Sequence, residues 1–313
     1  MPRYQRGLFI YNGTKDKQEN AQQIQQTLPI IAQEVKSLQV IQTHSLDELR
    51  RICREIAPTV DVLFILGGDG TIHECINVLA PLDQRPVIGI LPGGTCNDFS
   101  RMMQTPQNLE QAARSVIAGE EIQVDAGQAN DHYFLNFWGA GLIAKTSTNI
   151  DDDQKDRFGV LSYFISALKT MNQADPFSFS ITVDEEKLEG EAVMVVVMNG
   201  RFLGTRQLPV MSIDIHDQML DLFIVKNSNL TLFRELMTMN RPGTDDRRFQ
   251  ELHHTQGKQI TIEVDELQEV DMDGEIKGTT PASLSVLPNH FTFLKSRATL
   301  FGPKVKGNGG DEA

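Results

Sequence analysis

The sequence predicts an α/β fold joined to an all-β one: a doubly wound α/β unit over residues 1–125, then a β-sandwich over 126–289. Three observations carry this. As far as residue 118, apolar strand-like runs alternate with helical patterns, the rhythm of βαβ units around a parallel sheet. Near Glu121 the character shifts, and from Ile122 onward short strand-like runs dominate, as a sandwich requires. At 313 residues the chain is long enough for two domains with sizeable cores.

In order, a strand is expected at 8–11, a polar helix at 17–36, a strand at 38–42 and a helix at 46–56. The apolar strand 62–66 then enters Gly67-Gly68-Asp69-Gly70-Thr71 directly. Glycines there allow a tight turn and let backbone N–H groups approach a ligand, while the next helix aims its positive end at the same place. Such a turn suits phosphate. Thr71 and Glu74 have capping-box spacing, and Ile72, Cys75, Ile76 and Leu79 form one apolar helical face. The plain alternative is a connection whose glycines serve only the turn.

The strand 87–91 leads into a second loop of this kind, Pro92-Gly93-Gly94-Thr95-Cys96-Asn97-Asp98-Phe99-Ser100-Arg101. In an open parallel sheet, loops from neighbouring strands lie together at the carboxyl ends, where ligands bind. A helix at 109–118 closes this part.

Further strands are expected at 132–136, 177–183, 192–199, 220–225, 259–264 and 283–287, with helices at 158–172 and 230–239. Residues 214–221 carry Asp214, Asp217 and Asp221 ahead of an apolar strand. Close carboxylates stay ionised together most easily around a cation, and oxygen ligands at a sharp loop suit Mg²⁺. An ordinary acidic turn is the alternative. Downstream, Asp271, Asp273 and Glu275 flank Gly274 at the end of a strand pattern. Met171, Met194, Met198, Met237 and Met239 read as packing residues.

A net charge of −13 weighs against nucleic acid as a partner and against spontaneous adhesion to anionic lipid. No apolar run approaches the length of a membrane-spanning helix. The amino terminus lacks a signal-peptide pattern, and the three cysteines are few and widely spaced, which points to a reduced cytoplasm. Residues 302–313 read as a disordered tail.

The two glycine loops together, Gly-Gly-Asp-Gly-Thr and Pro-x-Gly-Thr-x-Asn-Asp-Phe-x-Arg, resemble the catalytic domain of the diacylglycerol kinase family in its soluble bacterial lipid-kinase branch. One loop alone would also admit NAD kinases and phosphofructokinases. The resemblance spans nearly the whole chain. It implies an ATP- and Mg²⁺-dependent kinase acting on a neutral lipid, with the active site in the cleft between the domains. The last strand, at about 290–296 within a segment of about 290–301, would return to the first domain. Residues 67–71 and Glu74 would belong to the nucleotide site, with Asp69 organising Mg²⁺ and Thr95 and Asn97 closing the second side. Asn12 and Thr43, just after the first two strands, would add contacts. In the first of these loops the family's Asn-Pro-x-Ser-Gly appears as Asn12-Gly13-Thr14-Lys15-Asp16.

The Asp-Gly-Glu core is similar to the family's catalytic triplet, which implies Glu275 as the base, with Asp273 as competitor. The segment 214–221 resembles a structural magnesium loop. Carried across, its ligands are Asp214, Asp217 and the Met219 carbonyl, with Gln218 replacing the usual glycine. A family Asn-Gly segment recurs at Asn199-Gly200, but its glycine run becomes Gly204-Thr205-Arg206, where acceptor specificity is expected. The alternatives are another acceptor (a sphingoid base, an undecaprenol-like alcohol or NAD) or an inactive nucleotide- or lipid-binding regulator. Transient membrane contact would fall to local patches such as Arg241, Arg247, Arg248 and Phe249, or Lys155, Arg157 and Phe158. The family further implies a homodimer.

Overall fold

The computed structural model describes residues 1–14, 16–144, 175–208, 210, 213–227, 230–238 and 249–297. The expected helix at 158–172, the tail at 302–313 and most of both cationic patches lie outside these residues. Met171, Met239 and the Met237 side chain do too. No described helix is long and apolar enough to cross a membrane.

The first half runs β1 (Tyr4–Asn12), α1 (Lys17–Ile31), β2 (Val35–Thr43), α2 (Leu46–Glu55), β3 (Val62–Gly67), α3 (Asp69–Leu79), β4 (Val87–Pro92), α4 (Asp98–Met102) and α5 (Leu109–Ile117). Its strands are parallel in the order β2-β1-β3-β4. Alternation along β3 shows why both faces are covered. Leu63 and Ile65 pack with Leu49 and Ile52 of α2 and Ile72, Cys75 and Ile76 of α3. Val62, Phe64 and Leu66 pack on the other side with Ile31 of α1 and Ala112 and Val116 of α5. Helix α1 is shorter than its expected range. The chain must re-enter the sheet at Val35, which is buried and pairs with Tyr4.

The second half contains β5 (Glu120–Ala129), β6 (His132–Phe134), β7 (Phe137–Gly141), β8 (Phe177–Val183), β9 (Glu186–Ala192), β10 (Met194–Met198), β11 (Phe202–Leu203), β12 (Arg206–Gln207), β13 (Leu220–Val225), α6 (Leu230–Thr238), β14 (Leu252–Gly257), β15 (Gln259–Val264), β16 (Glu269–Met272), β17 (Glu275–Thr279) and β18 (Ala282–Lys295). One antiparallel sheet has the order β14-β13-β10-β7-β16-β17. Its inner face, including Trp138, Val195, Val197 and Leu222, meets Phe179, Ile181, Ile262 and Leu284 from the facing sheet.

That facing sheet is continuous with the parallel sheet of the first half. Strand β18 joins them: its early residues pair with β15, Phe293 pairs in parallel with Ile88 of β4, and β5 runs antiparallel along nearly all of it. The runs expected separately at 283–287 and about 290–296 are therefore one strand. Pro288 and Asn289 mark a register shift between Leu287 and Phe291, and Asp125 of β5 accepts the Asn289 N–H at 2.7 Å. The side chain bridges the irregularity, so the ladder resumes on the far side.

Candidate active site between the two halves

Helix α3 begins two residues before Thr71, with Gly68 at its N-cap and no side-chain cap. The capping-box expectation is thus corrected: Asp69 and Gly70 are already helical, and the Glu74 carboxylate points elsewhere. Helix geometry leaves the N–H groups of Asp69, Gly70 and Thr71 without intrahelical acceptors, ready for an anion.

The two glycine loops touch through their backbones. The Gly93 N–H donates to the Gly67 carbonyl at 2.9 Å. A β-carbon on Gly94 would stand 2.5 Å from the Gly68 α-carbon, so these glycines allow loop-to-loop contact that no side chain could share. Asn97 sits in the left-handed region at φ 53°. Its Oδ1 accepts the Gly94 N–H at 2.9 Å and its Nδ2 donates to the Gly94 carbonyl at 2.8 Å. The Asn97 amide is committed to shaping the loop, and Gly94 and Thr95 form its exposed lip.

Beside them lies a cleft of ≈ 230 Å³ lined by Asn12, Thr14, Thr43, Ser45, Leu46, Leu49 and Thr71. Despite its departure from the family pattern, the loop after β1 closes tightly. Asn12 Oδ1 accepts the Thr14 N–H and hydroxyl, each at 2.8 Å, and the Gly13 N–H donates to the Thr43 carbonyl at 2.7 Å.

Acids arrive from both halves. Burial, then the neighbouring charge of Asp98, pushes Asp69 up to about 7. A Phe99 N–H, which donates to its Oδ1 at 3.3 Å, offsets part of this, and Asp273 adds repulsion. Burial also raises Asp98, although its oxygens accept the Thr205 and Gly204 N–H groups, each at 2.5 Å. Three mutually repelling carboxylates, Asp69, Asp98 and Asp273, thus gather at the first glycine turn, an electrostatic setting that a divalent cation would relieve. Among the described residues, no three His, Cys, Asp or Glu side chains form a metal site alone. A Mg²⁺ held by one or two carboxylates and substrate phosphates needs no such cage.

Asp273 and Gly274 both have positive φ, 55° and 92°, and form the two-residue hairpin turn between β16 and β17. That turn sends Asp273 back into the protein. Its carboxylate accepts the Leu135, Asn136 and Phe137 N–H groups at 2.9, 2.8 and 3.0 Å, and Oδ2 lies 3.5 Å from Nδ1 of buried His73. Glu275, the next strand residue, instead faces the first glycine turn, so that a β-carbon on Gly70 would lie 2.6 Å from its Oε1.

Glu74 is only 7% exposed and is not among the residues that line the cleft. Arg50 of α2 reaches its Oε2 through Nε at 2.8 Å and Nη2 at 2.7 Å, and Lys277 Nζ of β17 reaches Oε1 at 2.9 Å. Burial would raise its pKa, but these two cations outweigh burial and lower it. Both Glu74 oxygens are thus engaged within the protein.

The acidic loop ahead of β13 lies against β5. Asp214 accepts the His216 N–H at 3.1 Å, Asp217 accepts the Met219 N–H at 2.9 Å, and Asp125 accepts the Gln218 N–H at 2.7 Å. Gln218 adopts φ 62°, so the loop keeps a glycine-like backbone without glycine. Asp217 is raised to about 6 by burial and, after partial relief from the Met219 N–H, by Asp221, Asp214 and Asp125. Thr205 shows the same pattern at φ 69°.

Sequence reasoning gave no role to Asp98, Asp125, His73 or Lys277. Asp98 stood inside a loop already singled out, which was a usable signal. Asp125 is a lone acid in a strand, and its two backbone partners lie 93 and 164 residues away.

Residues 6–129 match the family model described as diacylglycerol kinase catalytic domain, and residues 138–295 that of the YegS C-terminal NAD kinase beta sandwich-like domain. A candidate lipid kinase of Staphylococcus aureus strain MSSA476 is 32% identical over 297 residues, 93% of this chain and 97% of that one. The crystal structure of a candidate diacylglycerol kinase from Bacillus anthracis strain Sterne superposes with a TM-score of 0.85 at 35% identity, covering 96% of this chain and all of that one. A second structure, of a diacylglycerol kinase from the same organism, gives 0.81 at 34% identity, covering 95% and 99% of the two chains.

Proposed function

This chain belongs to the diacylglycerol kinase catalytic-domain family of lipid kinases, and from that premise we propose that it moves the γ-phosphoryl group of ATP to the free hydroxyl of a neutral lipid, turning diacylglycerol into phosphatidic acid. The observation that carries this reading is the Glu275 carboxylate held directly over Gly70 of the phosphate turn. It joins an anion-binding helix terminus from one half to a carboxylate from the other.

In this reading the first-turn N–H groups of α3 bind phosphate oxygens, and the cleft between Asn12, Thr43 and Thr71 takes the rest of the nucleotide. Asp69, with Asp98 beside it, holds Mg²⁺, which supplies charge neutralisation at the phosphates. Asp214, Asp217 and the Met219 carbonyl hold a second, structural Mg²⁺; the crowding that lifts Asp217 fits a cation there. Glu275 takes the proton of the acceptor hydroxyl as its oxygen bonds to the γ-phosphorus, and the bond to the β–γ bridging oxygen breaks to release ADP. Glu275 suits the role better than Asp273, whose oxygens already accept three backbone N–H groups. Thr95, on the exposed lip of the second loop, closes the second side of the phosphates.

The test is phosphate transfer from labelled ATP to diacylglycerol, a sphingoid base, undecaprenol and NAD, with the lipids in mixed micelles. Diacylglycerol is expected to turn over fastest, and Glu275→Gln to reduce kcat by roughly 10²–10⁴-fold. Fastest turnover of another acceptor would replace the substrate. ATP binding without transfer to any acceptor would leave a regulator.

A further inference from the structure

We infer that Glu74 and Lys277 are positioning residues that fix where Glu275 stands, an inference that rests on the kinase reading above and deepens it. Among the described residues, strand β17 is the last strand in its sheet and pairs only with β16. Asp273 anchors the turn itself, through the Leu135, Asn136 and Phe137 N–H groups and 3.5 Å from His73 Nδ1 of α3, but beyond the turn an edge strand is held on one side only. Two facing rows of residues supply a further constraint. On α3, Gly70 and Glu74 are four residues apart and share a face; on β17, Glu275 and Lys277 are two apart and share a face. The helical spacing is about 6 Å and the strand spacing about 6.6 Å. The rows can therefore meet in register at both positions.

They do meet at both. Glu275 Oε1 sits over Gly70, where a β-carbon would be 2.6 Å away, and Lys277 Nζ reaches Glu74 Oε1 at 2.9 Å. Arg50 holds the other Glu74 oxygen from α2, so the carboxylate is fixed before Lys277 reaches it. Glu74 is largely shielded from water, which strengthens both pairs relative to exposed ones. A strand shift of one residue would turn Glu275 away from the phosphate turn, because alternate strand residues face opposite sides.

The experiment compares Lys277→Met, Lys277→Arg, Glu74→Gln and Glu275→Gln in steady-state kinetics, with Tm measured for each. Lys277→Met and Glu74→Gln are expected to lower kcat roughly 10- to 100-fold while changing KM for ATP less than about threefold, and Lys277→Arg to recover most of the loss. A Lys277→Met enzyme within twofold of wild-type kcat overturns the inference. So does a loss with KM rising in proportion, or one that Lys277→Arg fails to rescue. If Lys277→Met does not fold, the Glu74→Gln and Lys277→Arg results decide by the same criteria. Full activity in Glu275→Gln would instead overturn the assignment of the base, so the two failures are distinguishable.

Discussion

At Asp69 the structure makes a pH-dependent statement about stability. Its carboxyl is raised to about 7 by burial and then by Asp98, so folding disfavours the charged form. The cost is absent below the unfolded pKa near 4, grows as pH climbs from there to 7, and is complete above 7. Asp69→Asn is therefore expected to stabilise the metal-free protein at pH 8 by on the order of 1–3 kcal/mol, after discounting for partial exposure, and to add little at pH 4. Urea denaturation at the two pH values reads this directly. An equal gain at both would show that desolvation of a charge is not the cause.

Among the elements, the paired glycine loops depend on backbone contact. A Gly94→Ala side chain would have to share space with the Gly68 α-carbon at 2.5 Å, and neither backbone can yield without parting the loops. The expected result is a destabilisation of about 1–3 kcal/mol with KM for ATP raised at least tenfold. Unchanged ATP affinity would mean that the loops act separately. Both loops were legible because apolar strands run straight into glycines. Strands 177–183, 220–225 and 259–264 were legible with the limits that the structure shows, since each is a clear apolar or alternating run. The strands β9, β14 and β17, which lie at sheet edges among the described residues, were not, because Glu186–Ala192, Leu252–Gly257 and Glu275–Thr279 carry polar residues there. The Thr71–Glu74 spacing points to a helix start at Thr71, whereas the N-cap is Gly68, which offers no side-chain signal. The ion pair that Glu74 makes reaches Lys277, 203 residues away, and no local pattern encodes such a partner.

At the scale of the molecule, β18 makes the two halves one mechanical unit. Phe291 and Phe293 complete the core beneath β4 with Leu8, Ile65 and Ile90, while Leu284 and Val286 of the same strand belong to the sandwich core. The Glu74–Lys277 pair and the hydrogen bonds of Asn77 to the Tyr133 backbone, at 2.8 and 2.9 Å, tie the halves again at the site. Separate domains usually unfold separately, but here losing either core pulls the strand out of the other. Unfolding in urea should therefore show one midpoint for both halves. The single tryptophan, Trp138, reports the sandwich core. The buried Cys53 and Cys75 report the α/β core through thiol labelling in a Cys96→Ser background. Cysteine labelling that precedes the tryptophan change by more than about 0.5 M urea, a separation of roughly 0.5–1.5 kcal/mol at common slopes, would mean that β18 yields locally. The alignment of the halves at the proposed site would then rest on the Glu74–Lys277 pair, the Asn77–Tyr133 hydrogen bonds and those of Asp98 to Gly204 and Thr205.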